Sequence, residues 1–382
     1  MLENFLDAKP LFYDEIDYAR MPRIYQRIQE NFLLPKVIHI IGTNGKGTTG
    51  RFLATALYRL GYKTGHYTSP HILEFNERIW FNGSNVGMRE LEETHQKLLT
   101  ILTQEESESL SYFEYTTLLA MLFFSQKSDY VVLEAGLGGE HDATAVFAND
   151  LTLVTPIAKD HEAFLGSTVE IIATTKLRAI QKAVILGKQK YLEVYHVTEE
   201  LQKEKGFQYF KSDILLQQKD RDNIVKITKY DRLSIYLQEN LSLAIAALNY
   251  FHIAYTAESF FNARLFGRLT FLSKNIVVDV GHNVLAATAI VESLKEKKYI
   301  LIYNSYKDKN YTEILKVLKP IVCEVQLIDV YNKRVEESSY LQESLKLLGI
   351  PYSKFNKIEE NRDYLVFGSF SVVEAFLRIY RG

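Results

Sequence analysis

Lys46 stands in the run Gly42-Thr43-Asn44-Gly45-Lys46-Gly47-Thr48-Thr49, whose residue types suit the holding of phosphate. Glycines let the backbone turn tightly. The free N–H groups of a helix starting there point at an anion, and the helix dipole adds partial positive charge. Lys46 adds a full charge, and the Thr48 hydroxyl suits a magnesium ion. The spacing departs from the G-x-x-x-x-G-K-[ST] pattern, since Ile40 stands at its first glycine and Gly47 follows the lysine. The alternative is a tight strand-to-helix turn with a surface lysine. The phosphates of a nucleotide are the better reading, because strand, glycines, lysine, hydroxyls and helix occur together in that order.

Other reactive side chains lie farther along. Glu134 closes the apolar run DYVVLEA, where an unpaired carboxylate is expensive, so it either ligates a metal or accepts local hydrogen bonds. Asp160-His161 follow a second apolar run, and Thr68-Ser69-Pro70-His71 a third. A lone histidine is more often structural. Hydroxyl, carboxylate and imidazole converging on a phosphate loop favour a hard cation, with magnesium bridging nucleotide and acceptor. Lys176 falls on the inward stripe of a helix, with Val169, Ile172, Ala173 and Ile180, and a Ser167-Thr168-Val169-Glu170 capping box starts that helix. Burial favours the neutral amine, which can take up carbon dioxide to form a carbamate, an added anionic metal ligand. The sequence alone favours the plainer alternative, a lysine that snorkels to the surface or pairs with a carboxylate. Nearer the C-terminus, Asp279, Gly281, His282 and Asn283 follow a strand, and Arg268 follows Gly267 at a domain junction. A cation there reaches phosphates when domains close. The alternatives are an aspartate capping the next helix and a solvated arginine.

These side chains need a scaffold that gathers strand ends. Residues 37–41, VIHII, read as a buried parallel strand, and 51–60 as a helix. Residues 18–32 form a helix that stops before Pro35. Residues 63–67 are a strand, 89–102 a surface helix, and 112–124, apolar on nearly every side, a buried helix. Further strands fall at 129–135, 151–156 and 183–187. Strands alternating with helices imply a doubly wound parallel sheet, whose ligands collect beyond the carboxyl ends of the strands. The clusters at 43–48, 68–71, 134–139 and 160–161 all fall at that edge. Residues 224–228 and 233–237 read as a β-hairpin, followed by a helix over 238–251. Alternation then restarts, with strands at 276–279, 299–302, 325–330 and 364–367. The expected division is a first domain over 1–262, a linker over 263–267 and a second α/β domain over 268–382. No internal repeat or low-complexity run is visible.

The 382 residues are 47% hydrophobic and 24% charged, the composition of an ordinary globular protein with room for two domains. A formal charge of −2 gives no electrostatic reason to expect nucleic acid or an anionic membrane as partner. The one cysteine, Cys323, excludes an intramolecular disulfide and a thiolate cluster, and is expected as a buried thiol. The acidic N-terminus lacks the basic and apolar parts of a signal peptide, and no apolar run approaches the ~20 residues of a membrane span. A cytoplasmic enzyme is expected.

The motifs IHIIGTNGKGTT, TSPHILEFNERI, YFEYTTLLAMLFF, VVLEAGLGGEHDAT, KDHEAFLGSTVEIIATTK and FGRLTFLSKNIVVDVGHN run through nearly the whole chain. The chain thereby resembles the folylpolyglutamate synthase/dihydrofolate synthase family of the Mur-ligase superfamily. GTNGKGT together with TSPH and FNERI is specific to that folate branch. The resemblance implies a doubly wound parallel-sheet ATP-binding domain, like the central domain of Mur ligases, with a smaller C-terminal Rossmann-like α/β domain. It implies an ATP-dependent ligase joining L-glutamate to dihydropteroate or a reduced folate through an acyl phosphate. The cofactors implied are ATP and two magnesium ions, with a carbamylated lysine at Lys176. Partners are small molecules only, on a monomer.

By position, Thr43, Asn44, Gly45, Lys46 and Gly47 would hold the ATP phosphates, and Thr48 the nucleotide's magnesium. Ser69, Glu134 and His161 would hold a second magnesium. Asn240 matches the asparagine that meets adenine, Arg268 the arginine that reaches the phosphates, and Asp279 and His282 the pair facing nucleotide and glutamate. Lys46, His161, Lys176, Arg268 and His282 form the implied catalytic group. Phe113 is a stacking surface for the pterin or, alternatively, a core aromatic.

The departures are specific. The family's GLGGRLDATN has Glu140 for the arginine and Ala145 for the asparagine, and its E-K-A-G reads Thr175-Lys176-Leu177-Arg178. Two rivals follow: a Mur-type ligase with another carboxylate acceptor, and a catalytically silent nucleotide-binding homologue. The second predicts loss of Lys46, Thr48, Glu134 or His161, and all four are present.

Overall fold

The computed structural model describes residues 1–10 and 17–381, which divide into two compact units. The first comprises 1–233 and 237–263, and the second 234–236 and 264–382.

The first unit is built on an eight-stranded sheet. Its strands are β1 (Lys36–Ile41), β2 (Thr64–Tyr67), β3 (Ile79–Phe81), β4 (Ser84–Asn85), β5 (Tyr130–Glu134), β6 (Leu151–Val154), β7 (Ala183–Leu186) and β8 (Gln208–Lys211). They lie in the order β4-β3-β2-β5-β1-β6-β7-β8, with every pairing parallel except the two made by β3. β1 sits between β5 and β6, with Ile40 in register with Glu134 and with Leu153. The chain leaves β1 toward β2 and later crosses to β6 on the other side. β1 therefore marks the point where the strand order reverses, which is where such sheets bind ligands. One apolar core gathers Leu118, Met121 and Phe124 of the helix Tyr112–Phe124 around Val37, Val131 and Leu133. A second packs Ile172, Ala173 and Leu177 of the helix Val169–Leu177 against Ile41, Val154 and Val184.

The second unit carries six strands, β9 (Thr270–Ser273), β10 (Ile276–Val278), β11 (Tyr299–Tyr303), β12 (Val322–Leu327), β13 (Tyr352–Lys354) and β14 (Tyr364–Phe367). Their order is β13-β12-β11-β14-β10-β9, and only β9 runs antiparallel to its neighbour. Its core joins Leu301, Tyr303, Leu365 and Phe367 of the sheet to Ile290, Leu315 and Leu345 of the helices.

Three expectations fail. The hairpin over 224–237 is instead helical: Gln218–Asp231 is one helix, Arg232 turns the chain at φ 50°, and Ile235–Tyr250 is the next. Its β-branched residues lie on a helix because both ends are fixed from elsewhere. Gln217 and Asp220 cap it reciprocally, and the buried Asp220 carboxylate also accepts from Asn249 Nδ2 (2.8 Å) and Tyr255 Oη (2.7 Å). Cys323 is exposed rather than buried, because β12 turns that position away from the core. The helix bearing Lys176 starts from Thr168, whose hydroxyl accepts from Ile171 N, and not from the Ser167 box. Among the described residues no helix is long and apolar enough to cross a membrane.

Asp220→Ala strands Gln217 N, the Asn249 amide and the Tyr255 hydroxyl together. It is expected to lower the unfolding free energy by about 3 kcal/mol, read from the urea midpoint.

Candidate active site

The phosphate loop forms where β1 ends. Thr43 N and Asn44 N both donate to Pro156 O, at 3.0 and 3.3 Å, and the Thr43 hydroxyl is bound to the backbone of Ala158. The loop is therefore braced by the segment leaving β6. Gly45 caps the helix Lys46–Arg59 at φ +91°, and a Cβ there would lie 2.4 Å from Asn240 Oδ1. Glycine is required on both counts. The first intrahelical bond runs from Thr49 N to Gly45 O (2.9 Å), so the N–H groups of Lys46, Gly47 and Thr48 precede the helical ladder.

Lys46 Nζ donates to Gly42 O (3.3 Å) and Thr43 O (3.4 Å), and lies 4.0 Å from Glu134 Oε1. Glu134 is 5% exposed at the end of β5 and accepts from the Thr68 hydroxyl and from Ser69 N (3.2 Å). Of the two readings of Glu134, the local hydrogen bonds are present, and its other oxygen faces the loop lysine. The Thr48 hydroxyl is 1% exposed as a residue and has no hydrogen-bond partner among the described residues. An orphaned buried hydroxyl at the start of the loop helix fits a hard cation, whose preferred ligands are oxygens.

Lys176 is buried, and its ammonium is pushed down to about 7. Burial is the main cause and the Lys46 charge adds to it, while Asp160 and Asp142 act in the opposite sense. The sequence-based alternative of a snorkelling lysine is excluded. Gly139 accounts for the close approach here, since a Cβ on it would lie 2.3 Å from Lys176 O and 2.7 Å from its Cα. His161 stands at φ +53° after β6; its backbone N–H donates to Asp160 Oδ1 (2.9 Å), and its Nε2 lies 3.9 Å from the same oxygen.

Lys46, Glu134, Thr68 and Ser69 are therefore brought together directly. Asp160 links His161 to the surroundings of Lys176. Phe113 is half-buried, its ring over Gly136 and 5.9 Å from the Tyr67 ring. Asn240 is 4% exposed with its carboxamide against the loop at Gly45. Two of the departing residues meet: Glu140 Oε2 is 3.6 Å from Arg178 Nη1.

In the second unit, Asp279 is buried and accepts from Leu269 N (2.8 Å), Gly281 N (2.8 Å) and the Tyr236 hydroxyl (3.2 Å). Burial pushes its carboxyl up, while the Arg268 charge and these donors pull it down. The helix cap is Asn283, which accepts from Ala286 N (2.9 Å), so the capping role is not Asp279's. Arg268 lies 5.0 Å over the Phe370 ring, and His282 Nδ1 is 3.2 Å from Val280 O. Tyr236, half-buried and with its phenol raised well above the ordinary range by burial of the hydroxyl, is a contributor that the sequence reading missed. Its partner is 43 residues away, and no local pattern announces such a pair.

Thr48→Val keeps the side-chain volume and removes only the orphaned oxygen. Calorimetric titration is expected to show divalent-dependent nucleotide binding weakened about tenfold or more, with the melting temperature unchanged or raised.

No protein-family model matches the chain. The dihydrofolate synthase/folylpolyglutamate synthase of Buchnera aphidicola subsp. Schizaphis graminum is 32% identical over 378 residues, covering 88% of this chain and 86% of that relative. The crystal structure of Helicobacter pylori folylpolyglutamate synthetase is 38% identical and superposes with a TM-score of 0.80, covering 100% of this chain and 98% of that one. Escherichia coli FolC in complex with DHPP and ADP is 25% identical with a TM-score of 0.83, covering 99% and 96%. With the phosphate loop, Glu134 and Lys176 arranged as described, the chain belongs to the dihydrofolate synthase/folylpolyglutamate synthase family.

Proposed function

We propose that this chain adds L-glutamate to dihydropteroate, and also to reduced folates, with ATP as the phosphoryl donor. As a member of its family it is an ATP-dependent amide ligase. The E. coli relative binds DHPP and ADP, which supports a pterin-bearing acceptor and a spent nucleotide as ligands. The observation that carries the reading is the meeting of Lys46 with Glu134, 4.0 Å apart, at the free start of the loop helix.

The acceptor carboxylate attacks the terminal phosphorus of ATP and ADP departs, leaving an acyl phosphate. The glutamate amine then attacks the acyl carbon and phosphate leaves. Lys46 and the backbone N–H groups of its loop hold the phosphates, and a cation aimed at charge developing in transfer lowers the barrier. Thr48, Ser69, Glu134 and His161 would hold two magnesium ions, which supply Lewis acidity and neutralise phosphate charge. Lys176, with its amine near neutrality at pH 7, would carry a carbamate formed by uptake of carbon dioxide and loss of a proton. Phe113 offers a face to the pterin, and Asn240 an amide at the loop. Arg268, Asp279 and His282 are read as contacts to nucleotide and glutamate. The chain is read as a monomer working in the cytoplasm.

The decisive assay incubates pure protein with ATP, glutamate and either dihydropteroate or tetrahydrofolate and follows ADP. Release with dihydropteroate is expected, and none with either acceptor overturns the reading. Lys46→Ala and His161→Ala are each expected to cut turnover by about a thousandfold with unchanged melting temperature. A rate near that of the unaltered chain removes that residue from the mechanism.

Carbamate formation needs the neutral amine. Bicarbonate-stimulated activity should therefore rise with pH through about 7, and Lys176→Ala should be partly rescued by a small carboxylate. Lack of both effects assigns the lysine an unmodified role.

A further inference from the structure

The backbone ladder between β6 and β7 ends at Gly187, whose N–H donates to Val154 O (2.9 Å). The chain leaving β6 runs on toward the phosphate loop, and there a side chain takes over the pairing. Gln189, 8% exposed, donates from Nε2 to Thr155 O (3.2 Å) and Gly187 O (3.0 Å), and its Oε1 accepts from Ile157 N (2.8 Å). These partners fix the orientation of the carboxamide. Turned over, it would set N–H groups against the Ile157 N–H and an oxygen against two carbonyls. The backbone N–H of Gln189 donates to Tyr195 Oη (3.0 Å), which anchors the residue to the helix Leu192–Lys205.

Gln189 thus grips the chain on both sides of Pro156. In a regular strand the N–H and C=O of one residue point to the same neighbouring strand. Thr155 departs from that pattern: its N–H donates to Ile41 O of β1 (2.9 Å), while its carbonyl faces Gln189 on the other side. The turn so made aims Pro156 O back at the end of β1, where it accepts from Thr43 N (3.0 Å) and Asn44 N (3.3 Å). Proline brings no N–H that would need a partner of its own. Thr155, Ile157 and Gly187 are all buried, so losing the carboxamide strands three backbone groups away from water. Relief comes if Thr155 O swings toward β1, which carries Pro156 O away from the phosphate loop.

We propose that Gln189 is a positioning residue for the nucleotide's phosphates: by holding Thr155 and Ile157 it aims the Pro156 carbonyl at Thr43 and Asn44, and so sets the phosphate loop before a ligand arrives. The proposal rests on the reading of that loop as the nucleotide site of a ligase. Gln189 acts at one remove, through Pro156.

Gln189→Met keeps the length of the side chain and removes the carboxamide, while Gln189→Glu keeps an acceptor for Ile157 N and loses both donors. Leu201→Ala, which opens a cavity in the core beside β7, is the control for lost stability alone. Calorimetric titration of the full chain with ADP and magnesium is expected to show affinity weakened about tenfold or more in Gln189→Met. The KM for acceptor and for glutamate should stay within about twofold. Leu201→Ala should lower the melting temperature and keep ADP affinity within about twofold. Amide hydrogen exchange reads the brace without a ligand: Thr43 N and Asn44 N should exchange about tenfold or more faster in Gln189→Met. ADP affinity kept in Gln189→Met, or lost equally in Leu201→Ala, overturns the proposal, as does unchanged exchange at Thr43 and Asn44. Should Gln189→Met fail to fold, Gln189→Glu decides by the same titration and exchange. A chain that behaves as expected here yet releases no ADP from ATP with either acceptor upholds the proposal and fails the ligase reading, so the two failures are distinct.

Discussion

The site depends on charged groups that the fold gathers at one end of a buried strand. Lys46 lies 4.0 Å from Glu134, and Lys176 feels the charges of Lys46, Asp160 and Asp142. The loop's free N–H groups and the orphaned Thr48 hydroxyl supply the complementary half of that arrangement. The same burial that makes the carboxylates costly lowers the Lys176 ammonium to about 7, so one low-dielectric setting serves both purposes.

The sheet topology makes the arrangement possible. β1 runs between β5 and β6, so its loop, Glu134 from one neighbour and Asp160-His161 from the other emerge side by side. Residues about 90 and 115 positions apart in the chain become adjacent without a long excursion of the backbone. The brace from Pro156 and Ala158 to Thr43 and Asn44 ties the phosphate loop to β6. The Asn240 carboxamide closes on it from the helix Ile235–Tyr250. Such bracing holds donors in place before the ligand arrives, which is where electrostatic catalysis draws its advantage.

What was legible in the sequence was whatever a short window records. The helix over Tyr112–Phe124 and the strands at β1, β5 and β14 follow from apolar runs, and Glu134 from a carboxylate closing one of them. The inward stripe correctly buried Lys176. Failures arose where distant partners decide. The alternation over 224–237 resembled strands, yet Asp220 anchors that segment to Asn249 and Tyr255 as helices. Tyr236 meets Asp279, and His39 meets Thr144 105 residues away, and neither pair leaves a local signature. Asp279 was read from the sequence as facing a ligand; what its three donors show is that it staples Leu269, Gly281 and Tyr236 together.

The contact between Glu140 and Arg178 bears on how the chain came to differ from its relatives. Both side chains are part-exposed, at 35% and 48%, and surface pairs of this kind contribute about 1 kcal/mol or less. A lineage bearing arginine at position 140 would meet only a mild repulsion on gaining a second arginine at 178, and a mild loss on changing in the other order. The sign at position 140 is thus set by solvent-facing chemistry that the fold itself scarcely weighs.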